Sequence, residues 1–206
     1  MKPHISVCIP VYQGASTLAA TLRSVLASEC ADFEVVIRDN GSTDGTSDVI
    51  AGFDDPRIRP VRSEETLPLS ENWLATVEQA RGDLIKVVCA DDLIHPDCLA
   101  SQAALLEDPS LALVACRRDF IDGDGKVLTR NAGLPGLLGR RRVPEVARAV
   151  VRFGINPVGE PACVMFRRKD YDAVGGFDGS NVFVMDIDAW LRILTRGDMF
   201  GQPEAH

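Results

Sequence analysis

The chain has 206 residues, of which 46% are hydrophobic and 25% are charged, the composition of an ordered globular domain rather than of a disordered segment. Its formal net charge of −8 argues against nucleic acid as the general partner, because binding to phosphate backbones requires a basic surface. The six cysteines form no Cys-x-x-Cys pair, so neither a zinc site nor a disulfide framework is favoured.

The first half of the chain predicts strands that alternate with helices. Apolar, β-rich runs at residues 5–10, 33–37, 57–61 and 84–90 predict four strands. Helical spacing and capping residues predict the helices between them, which begin at Ser16, at Thr43 or Asp44, and at Ser70. This order is the signature of an α/β fold: a largely parallel central sheet with helices on both faces, in a single Rossmann-like domain.

The parallel order also predicts where the polar residues that follow the strands lie. Strands joined by right-handed crossovers end at one edge of a sheet, and ligands of open α/β sheets bind at that edge. We therefore expect one shared mouth for Tyr12, Asp39, Asn40, Asp91 and Asp92.

The strand that ends near residue 90 leads directly into two adjacent carboxylates, Asp91 and Asp92. Such neighbours repel each other, and beside apolar packing they normally need a cation or a hydrogen-bonding ligand. Oxygen ligands suit Mg²⁺ or Mn²⁺, and Mg²⁺ commonly completes its shell with water and phosphate oxygens, so a metal-bridged diphosphate is the leading ligand. The alternative is that Asp92 caps the helix starting near Pro96, or that both are turn residues.

The second half mixes strands, turns and helices. Its last predicted element is an amphipathic helix with Asp186 in the first turn, where the helix dipole alone favours a carboxylate. The arginines at 140–142 could meet an anionic acceptor or form solvated surface charge. Between Asp92 and these arginines we predict a helix from Pro96, a strand at 111–116 and a hairpin turn at 122–125. The arginines themselves lie in a predicted mobile connection at 131–142. A helix from Pro144, with Val146, Val150 and Phe153 inward, and a strand at 162–166 are predicted to follow.

Six stretches occur in a recognisable order: SVCIPVYQ (6–13), DNGSTDGT (39–46), ARGDLIK running into ADD (80–92), GEPACVMFRR (159–168), VGGFD (174–178) and MDIDAWLR (185–192). Together they resemble the family 2 glycosyltransferases with the GT-A fold, over nearly the whole chain. The resemblance implies one GT-A domain over residues 1–206, with a nucleotide-sugar-binding half at 1–116 and an acceptor-side half at 117–206.

The resemblance also implies roles for individual residues. Asp186 would be the catalytic base that takes the proton from the acceptor hydroxyl. Asp92 would be the metal ligand on the diphosphate, and Asp91 would face the ribose or the metal. On the nucleotide side, Pro10 and Tyr12 would lie at the nucleotide pocket, and Asp39 and Asn40 would contact the nucleobase. On the acceptor side, the implied residues are Glu160, Asp188 and Trp190.

The resemblance implies that the protein transfers a sugar, with inversion, from a nucleotide-diphosphate sugar to an acceptor hydroxyl. The donor would be a UDP- or dTDP-sugar, the acceptor would be a saccharide or a lipid-linked molecule, and Mn²⁺ or Mg²⁺ would assist the reaction. The alternative is a non-catalytic module that binds the nucleotide-sugar. A nucleotidyltransferase is a weaker third, because residues 12–16 lack a Gly- and Lys/Arg-rich phosphate loop. With no signal peptide and no apolar stretch near the roughly 20 residues of a membrane span, we expect a cytoplasmic protein and leave peripheral attachment at the inner membrane face open.

Four features depart from the family pattern. Asn40 stands where the second loop often has another Asp, Cys89 stands where the metal motif often begins with Asp, and Met185 replaces the Glu of a Glu-Asp pair. The base preference and the number of metal ligands are therefore open. Relatives usually continue past the base helix, whereas this chain stops at His206, so we expect a C-terminal truncation.

Overall fold

The computed structural model describes residues 2–206 and has an α/β architecture. Its first half alternates strands and helices in the predicted order. The strands are β1 (Ile5–Val11), β2 (Phe33–Asp39), β3 (Ile58–Arg62) and β4 (Leu84–Val87), and the helices are α1 (Leu18–Leu26), α2 (Thr46–Ala51) and α3 (Leu69–Glu78).

The second half adds five strands and four helices. They are α4 (Cys98–Leu105), β5 (Leu111–Ile121), β6 (Val127–Ala132), β7 (Gly139–Arg141), α5 (Val143–Phe153), β8 (Val164–Arg167), α6 (Arg168–Ala173), α7 (Met185–Ile193) and β9 (Asp198–Ala205). Short 3₁₀ turns precede β8 and α7, at Pro161–Cys163 and Val182–Val184. Among the helices of residues 2–206, none combines the length and the apolar character that crossing a bilayer requires.

One sheet runs through both halves in the order β3-β2-β1-β4-β8-β5-β9-β7, and β6 pairs with β5. The strands β1 to β4 are parallel to one another. β8 is antiparallel to β4 and β5, whereas β9 runs parallel to β5. The predicted fold class, a mostly parallel sheet in one α/β domain, is confirmed. β5 crosses the boundary at residue 116 that we expected between the two halves.

The sheet separates two apolar clusters because alternate strand residues point to opposite faces. All seven residues of β1 are buried: Cys8 belongs to one cluster, and Val7 and Ile9 belong to the other. The cluster on the Cys8 side is rich in aromatic rings, and the neighbouring centroids of Phe166, Tyr171, Phe177 and Trp190 are 5.3 to 5.9 Å apart. Trp190 lies on α7, so this packing fixes the helix that carries Asp186.

Several boundaries differ from the predictions. β4 ends at Val87 rather than at residue 90, because the chain turns before the carboxylates. α4 begins at Cys98 rather than at Pro96, and β5 continues to Ile121 rather than ending at 116. The predicted strand at 162–166 begins only at Val164, after a 3₁₀ turn.

Caps and exposure were also mispredicted in places. α1 begins after Thr17 rather than after Ser16, and Ser70 lies inside α3, whose first residue follows Pro68. Phe153, predicted to point inward, is exposed because α5 ends there. The connection at 131–142 contains β7, and β9 was not predicted at all. The predicted hairpin turn at 122–125 does join β5 to β6.

Gly82, in the loop before β4, allows the backbone to approach β1. Its N–H donates to Ser6 Oγ at 2.8 Å, and a Cβ atom on Gly82 would lie 2.6 Å from the backbone nitrogen of Ser6. Because two backbones cannot separate without disturbing the β1–β4 pairing, we expect Gly82→Ala to lower the free energy of unfolding by about 1–3 kcal/mol. Calorimetry should then show a lower Tm, by about 2–4 °C per kcal/mol.

Gly123 in the β5–β6 turn is the matched control. A Cβ atom there meets nothing within 4 Å, so Gly123→Ala should leave the Tm nearly unchanged. Equal losses in the two variants would contradict the proposed steric cause.

Candidate active site

The turn after β4 brings three possible metal ligands together. The N–H of Val88 donates to Cys8 O at 2.9 Å, and the N–H of Asp92 then donates to Cys89 O at 3.0 Å. The ligand atoms of Cys89, Asp91 and Asp92 all lie within 4.8 Å of one another. The two carboxylates are thus brought together at the end of a parallel strand, as the sequence predicts.

Negative charge is crowded in this turn. Burial raises the pKa of Asp92 to about 6, with smaller contributions from the charges of Asp91 and Glu160. Burial and the same Asp pair also raise the pKa of the Cys89 thiol well above its usual range, and the charge of Asp186 adds to that rise. Asp92, which is costly to ionise without a counter-charge, together with the neighbouring oxygens of Asp91 fits a divalent cation such as Mn²⁺ or Mg²⁺.

A lysine lies behind this acidic turn. Lys86 of β4 is fully buried, and its Nζ donates to Gln102 Oε1 at 2.8 Å. Its positive charge lowers the pKa of Asp92 but does not cancel the effects of burial and of the neighbouring carboxylates. Sequence reasoning missed Lys86, because a lysine inside an apolar run gives no sign of where its ammonium group points.

Asp186 is held in the first turn of α7 by two hydrogen bonds. Its Oδ2 accepts from Asn156 Nδ2 at 2.7 Å, and its Oδ1 accepts from the N–H of Ile187 at 2.7 Å. The charge of Asp186 contributes to the raised pKa of Cys89, so Asp186 lies near the turn after β4. The prediction that Asp186 lies in the first turn of a helix is confirmed, and the structure adds a hydrogen-bond partner, Asn156.

Asn156 is a functional candidate that sequence reasoning missed. Its Nδ2 also donates to Gly159 O at 2.9 Å, and its Oδ1 accepts from the N–H groups of Val158 and Gly159. The Asn-Pro dipeptide at 156–157 is a turn signal. Nothing in it indicates a partner 30 residues away, so the contact with Asp186 could not be predicted.

The three acceptor-side candidates lie in different surroundings. Glu160 is next to the site: its charge acts on Asp92, and it pairs with Arg118 through an Nε–Oε2 distance of 2.5 Å. Asp188 instead pairs with Arg192, one helical turn later, at 2.6 Å. Trp190 is fully buried, and its indole N–H donates to Gly159 O at 3.2 Å, so the expected acceptor contact of Trp190 is corrected to a supporting role.

On the nucleotide side, Asp39 and Asn40 are buried and fully hydrogen-bonded. Asp39 accepts from the N–H of Ser42 and from Ser47 Oγ, and Arg62 lies 2.5 Å away. Burial alone would raise the pKa of Asp39, but these hydrogen bonds and the charge of Arg62 outweigh it and hold that pKa below its usual value. The two strand ends meet, since the N–H of Asn40 donates to Val11 O at 2.9 Å.

The side chain of Asn40 faces the loop before α3. Its Oδ1 accepts from the N–H of Leu67 and its Nδ2 donates to Leu67 O, both at 2.9 Å. A nucleobase can hydrogen-bond to the Asn40 amide only if it replaces one of these two hydrogen bonds. Pro10 is buried within β1, whereas Tyr12, just beyond the strand, is 53% exposed and is the nucleotide-side candidate that presents a free surface.

A cleft of about 510 Å³ opens beside the carboxylates. Its walls include Asp91, Asp92, Glu160, Arg118 and Phe120. This volume is in the range of small-molecule sites. A second cavity of about 540 Å³ between α2 and β3 reaches Asp39 and Arg62 but none of the residues of the turn after β4.

The fold is that of the GT-A glycosyltransferases. The structure superposes on residues 1–349 of TarS from S. aureus with a TM-score of 0.79 and 16% identity, covering 98% of this chain and 59% of that one. The mannosyltransferase PcManGT from Pyrobaculum calidifontis, solved with GDP-Man and Mn²⁺, gives a TM-score of 0.73 and 21% identity, covering 98% and 55%. These likenesses concern the fold.

The family follows from the sequence match. The model of glycosyl transferase family 2 matches residues 6–175, and the chain belongs to this family. It is 36% identical over 204 residues to an uncharacterized protein of Mycobacterium tuberculosis, covering 95% of this chain. The chain spans 63% of the length of that relative.

The raised pKa of Asp92 predicts a pH-dependent stability. A carboxyl group whose pKa is higher in the folded state than its ordinary value of 3.8 destabilises the fold increasingly as the pH rises toward about 6. We therefore expect Asp92→Asn to raise the Tm of the metal-free protein at pH 8 more than at pH 5. The same variant should lose any Tm increase caused by Mn²⁺.

The control for this experiment is Asp124→Asn in the exposed hairpin turn, which should change the Tm equally at both pH values. A Tm difference for Asp92→Asn that is the same at pH 5 and pH 8 would show that the Asp92 carboxylate is not under electrostatic strain.

Proposed function

We propose that this domain transfers a sugar from a nucleotide-diphosphate sugar to an acceptor hydroxyl with inversion at the anomeric carbon. The observation that carries the proposal is the grouping of Asp91 and Asp92 beyond β4, close to Asp186, a hydrogen-bonded carboxylate on α7 whose charge acts on Cys89 of the same turn. A metal-assisted inverting displacement requires a base for the acceptor hydroxyl and a cation beside the leaving diphosphate.

Asp92 and Asp91 would hold Mn²⁺ or Mg²⁺. The bound ion would neutralise the diphosphate as it departs. The PcManGT structure contains Mn²⁺ and a nucleotide sugar, which supports a metal-assisted reaction on this fold. With a cation present, Asp92 would bind in its ionised form, because a nearby positive charge offsets the burial that raises its pKa.

Asp186 would act as general base on the acceptor. The acceptor oxygen forms a bond to the anomeric carbon on the face opposite the nucleotide, the bond from that carbon to the phosphate oxygen breaks, and the hydroxyl proton passes to the Asp186 carboxylate. Asn156 donates to Oδ2 and thereby fixes the plane of the carboxyl group. The reaction needs no covalent intermediate on the protein.

For the donor we propose a UDP- or dTDP-sugar, and TarS, which has been solved with UDP-GlcNAc, supports uridine. The exposed ring of Tyr12 offers a stacking surface for the base. Asp39 and Asn40 would act on the base pocket mainly by holding the loops at 42–47 and 65–67, since their side chains are already bonded there.

For the acceptor we propose a saccharide or lipid-linked saccharide that enters the cleft beside Glu160. Phe120 is 45% exposed, so its ring can pack against the apolar face of a sugar. Carboxylates such as Glu160 accept hydrogen bonds from sugar hydroxyls. The candidate non-catalytic module remains the alternative, because Cys89 and Met185 stand where the family pattern has carboxylates.

Asp186→Asn separates the two candidates. If Asp186 is the base, the variant should lose transfer by about 10²- to 10⁴-fold, because an amide cannot take the proton. Its affinity for UDP with Mn²⁺, measured by calorimetry, should stay nearly unchanged. Transfer is measured as donor-dependent release of nucleotide diphosphate with a panel of saccharide acceptors.

Asp188→Asn is the control on the same helix, where the carboxylate pairs with Arg192 instead. It should retain most of the activity. Nucleotide binding without turnover by the unmodified protein with every acceptor would favour the binding module.

Asn156 is expected to act through Asp186. Asn156→Ala should lower kcat and leave the Kd for nucleotide unchanged, because the base loses its orienting donor. Asn156→Asp should also move the acidic limb of the kcat profile to higher pH, because a second carboxylate disfavours the ionised base. Asn181→Asp, an exposed position before α7, should show neither effect. A purely structural role would lower the Tm of the Asn156 variants without moving the pH profile.

A further inference from the structure

One segment of this acidic protein has the opposite charge. The chain carries a formal net charge of −8, yet residues 134–155 contain five arginines and a single carboxylate, Glu145. This segment includes β7 and α5. Positive charge collected in one segment of an otherwise negative domain indicates an anionic partner for that segment.

Four of these five arginines have no ion pair within residues 2–206. Arg140 is neutralised by Asp108 and Asp198, at 2.9 and 3.2 Å. The other four form no salt bridge in the described part of the chain: Arg141, Arg142, Arg148 and Arg152. Their charge is therefore free to act on a partner.

Apolar side chains are exposed among these arginines. Arg148, Val151 and Arg152 follow the spacing i, i+3 and i+4, so they lie on one side of the last turns of α5, and Ile155 follows two residues after the helix ends at Phe153. Val151 is 85% exposed and Ile155 is 62% exposed. We call the set of Arg141, Arg142, Arg148, Val151, Arg152, Phe153 and Ile155 the α5 surface.

The α5 surface also has a concave part. A cavity of about 370 Å³ lies between α5 and residues 135–137, and its walls include Arg148, Arg152, Phe153 and Glu145. Arg141 Nε donates to Gly136 O at 3.2 Å, which places Arg141 at the edge of this cavity. Guanidinium groups with an apolar floor suit a phosphate group attached to something apolar.

We propose that the α5 surface docks onto an anionic lipid membrane, with the arginines at the headgroup phosphates and Val151, Phe153 and Ile155 at the boundary of the acyl chains. Basic side chains beside exposed apolar ones are the combination that binds such interfaces. The negative charge of the remaining surface is repelled by the same lipids, so the domain would approach the membrane with this side first.

Two other partners fit the α5 surface less well. A second copy of the chain would bring unpaired arginines on both copies face to face, which is unfavourable. A nucleic acid would satisfy the arginines but would leave Val151 and Ile155 exposed at the contact.

Docking would place the candidate active site near the bilayer. Asn156 directly follows Ile155 in the chain and bonds to Asp186 at 2.7 Å. A second apolar segment, Val182–Val184, precedes Asp186, and its Phe183 is 96% exposed. The proposal itself does not depend on sugar transfer, so its test needs no substrate.

The test is sedimentation of the 206-residue protein with vesicles of phosphatidylcholine, with and without phosphatidylglycerol. We expect binding only to the anionic vesicles, and weaker binding as the salt concentration rises. The double variant Arg148→Gln with Arg152→Gln should bind about 30-fold more weakly, since each basic residue near such a surface contributes about fivefold. Val151→Ser with Ile155→Ser should weaken binding but keep its salt dependence.

Arg23→Gln with Arg196→Gln is the matched control, because both arginines are exposed, lie outside the α5 surface and have no salt bridge within residues 2–206. It should bind like the unmodified protein, and Tm values confirm that all variants are folded. The proposal is overturned if the protein ignores anionic vesicles, if both pairs of arginine variants lose binding equally, or if duplex DNA displaces the protein from vesicles at matched phosphate concentration.

Discussion

The burial of negative charge beyond β4 is the constraint on which the arrangement of the candidate site depends. Burial raises the pKa of Asp92 to about 6, and the charges of Asp91 and Glu160 add smaller contributions. The fold supplies two partial remedies: Lys86 beneath the turn and Arg118 beside Glu160. Neither lowers the pKa of Asp92 to its ordinary value, so a divalent cation would relieve a cost that the protein leaves in place.

Holding these charges together requires rigid surroundings. β4 is fixed between β1 and β8, and the turn after it hydrogen-bonds to Cys8 of β1. On the other side, α7 is anchored by Trp190, whose ring packs on Phe166 and Phe177 and whose N–H binds Gly159 O. Gly159 in turn bonds to Asn156, and Asn156 bonds to Asp186. The orientation of the candidate base therefore depends on a buried indole that reaches no substrate.

Much of the first half could be predicted because its signals are local. Runs such as Val35–Ile37 are β-rich and apolar, and the order of the elements then implies parallel strands with polar residues at their ends. β9 could not be predicted in the same way, since its sequence contains Gly201 and Pro203, which disfavour strands. It forms because β5 and β7 offer it pairing on both sides.

The residues of the candidate site also differ in whether local sequence signals could predict them. Asp92 and Asp186 could be named from strand and helix boundaries, together with the resemblance to a family. Asn156 and Lys86 could not, because each acts on a residue that only the tertiary fold brings near. Trp190 was placed on the wrong side for a related reason: helical spacing shows that a residue is apolar and inward, but not whether the space it faces is core or cleft.

Cys89 makes the candidate metal site less negative than a turn with a third carboxylate would be. Burial and the Asp pair raise the pKa of the Cys89 thiol in the metal-free protein, so Asp91 and Asp92 are the two carboxylates that the turn offers a cation. Mg²⁺ and Mn²⁺ held by so few protein ligands complete their coordination with water and phosphate oxygens. Under the proposed function, the diphosphate of the donor would then supply some of the ligands of the metal ion. Metal and donor would strengthen each other's binding, because each supplies what the other lacks: the cation offsets the phosphate charge, and the phosphates fill the coordination shell that Cys89 leaves open.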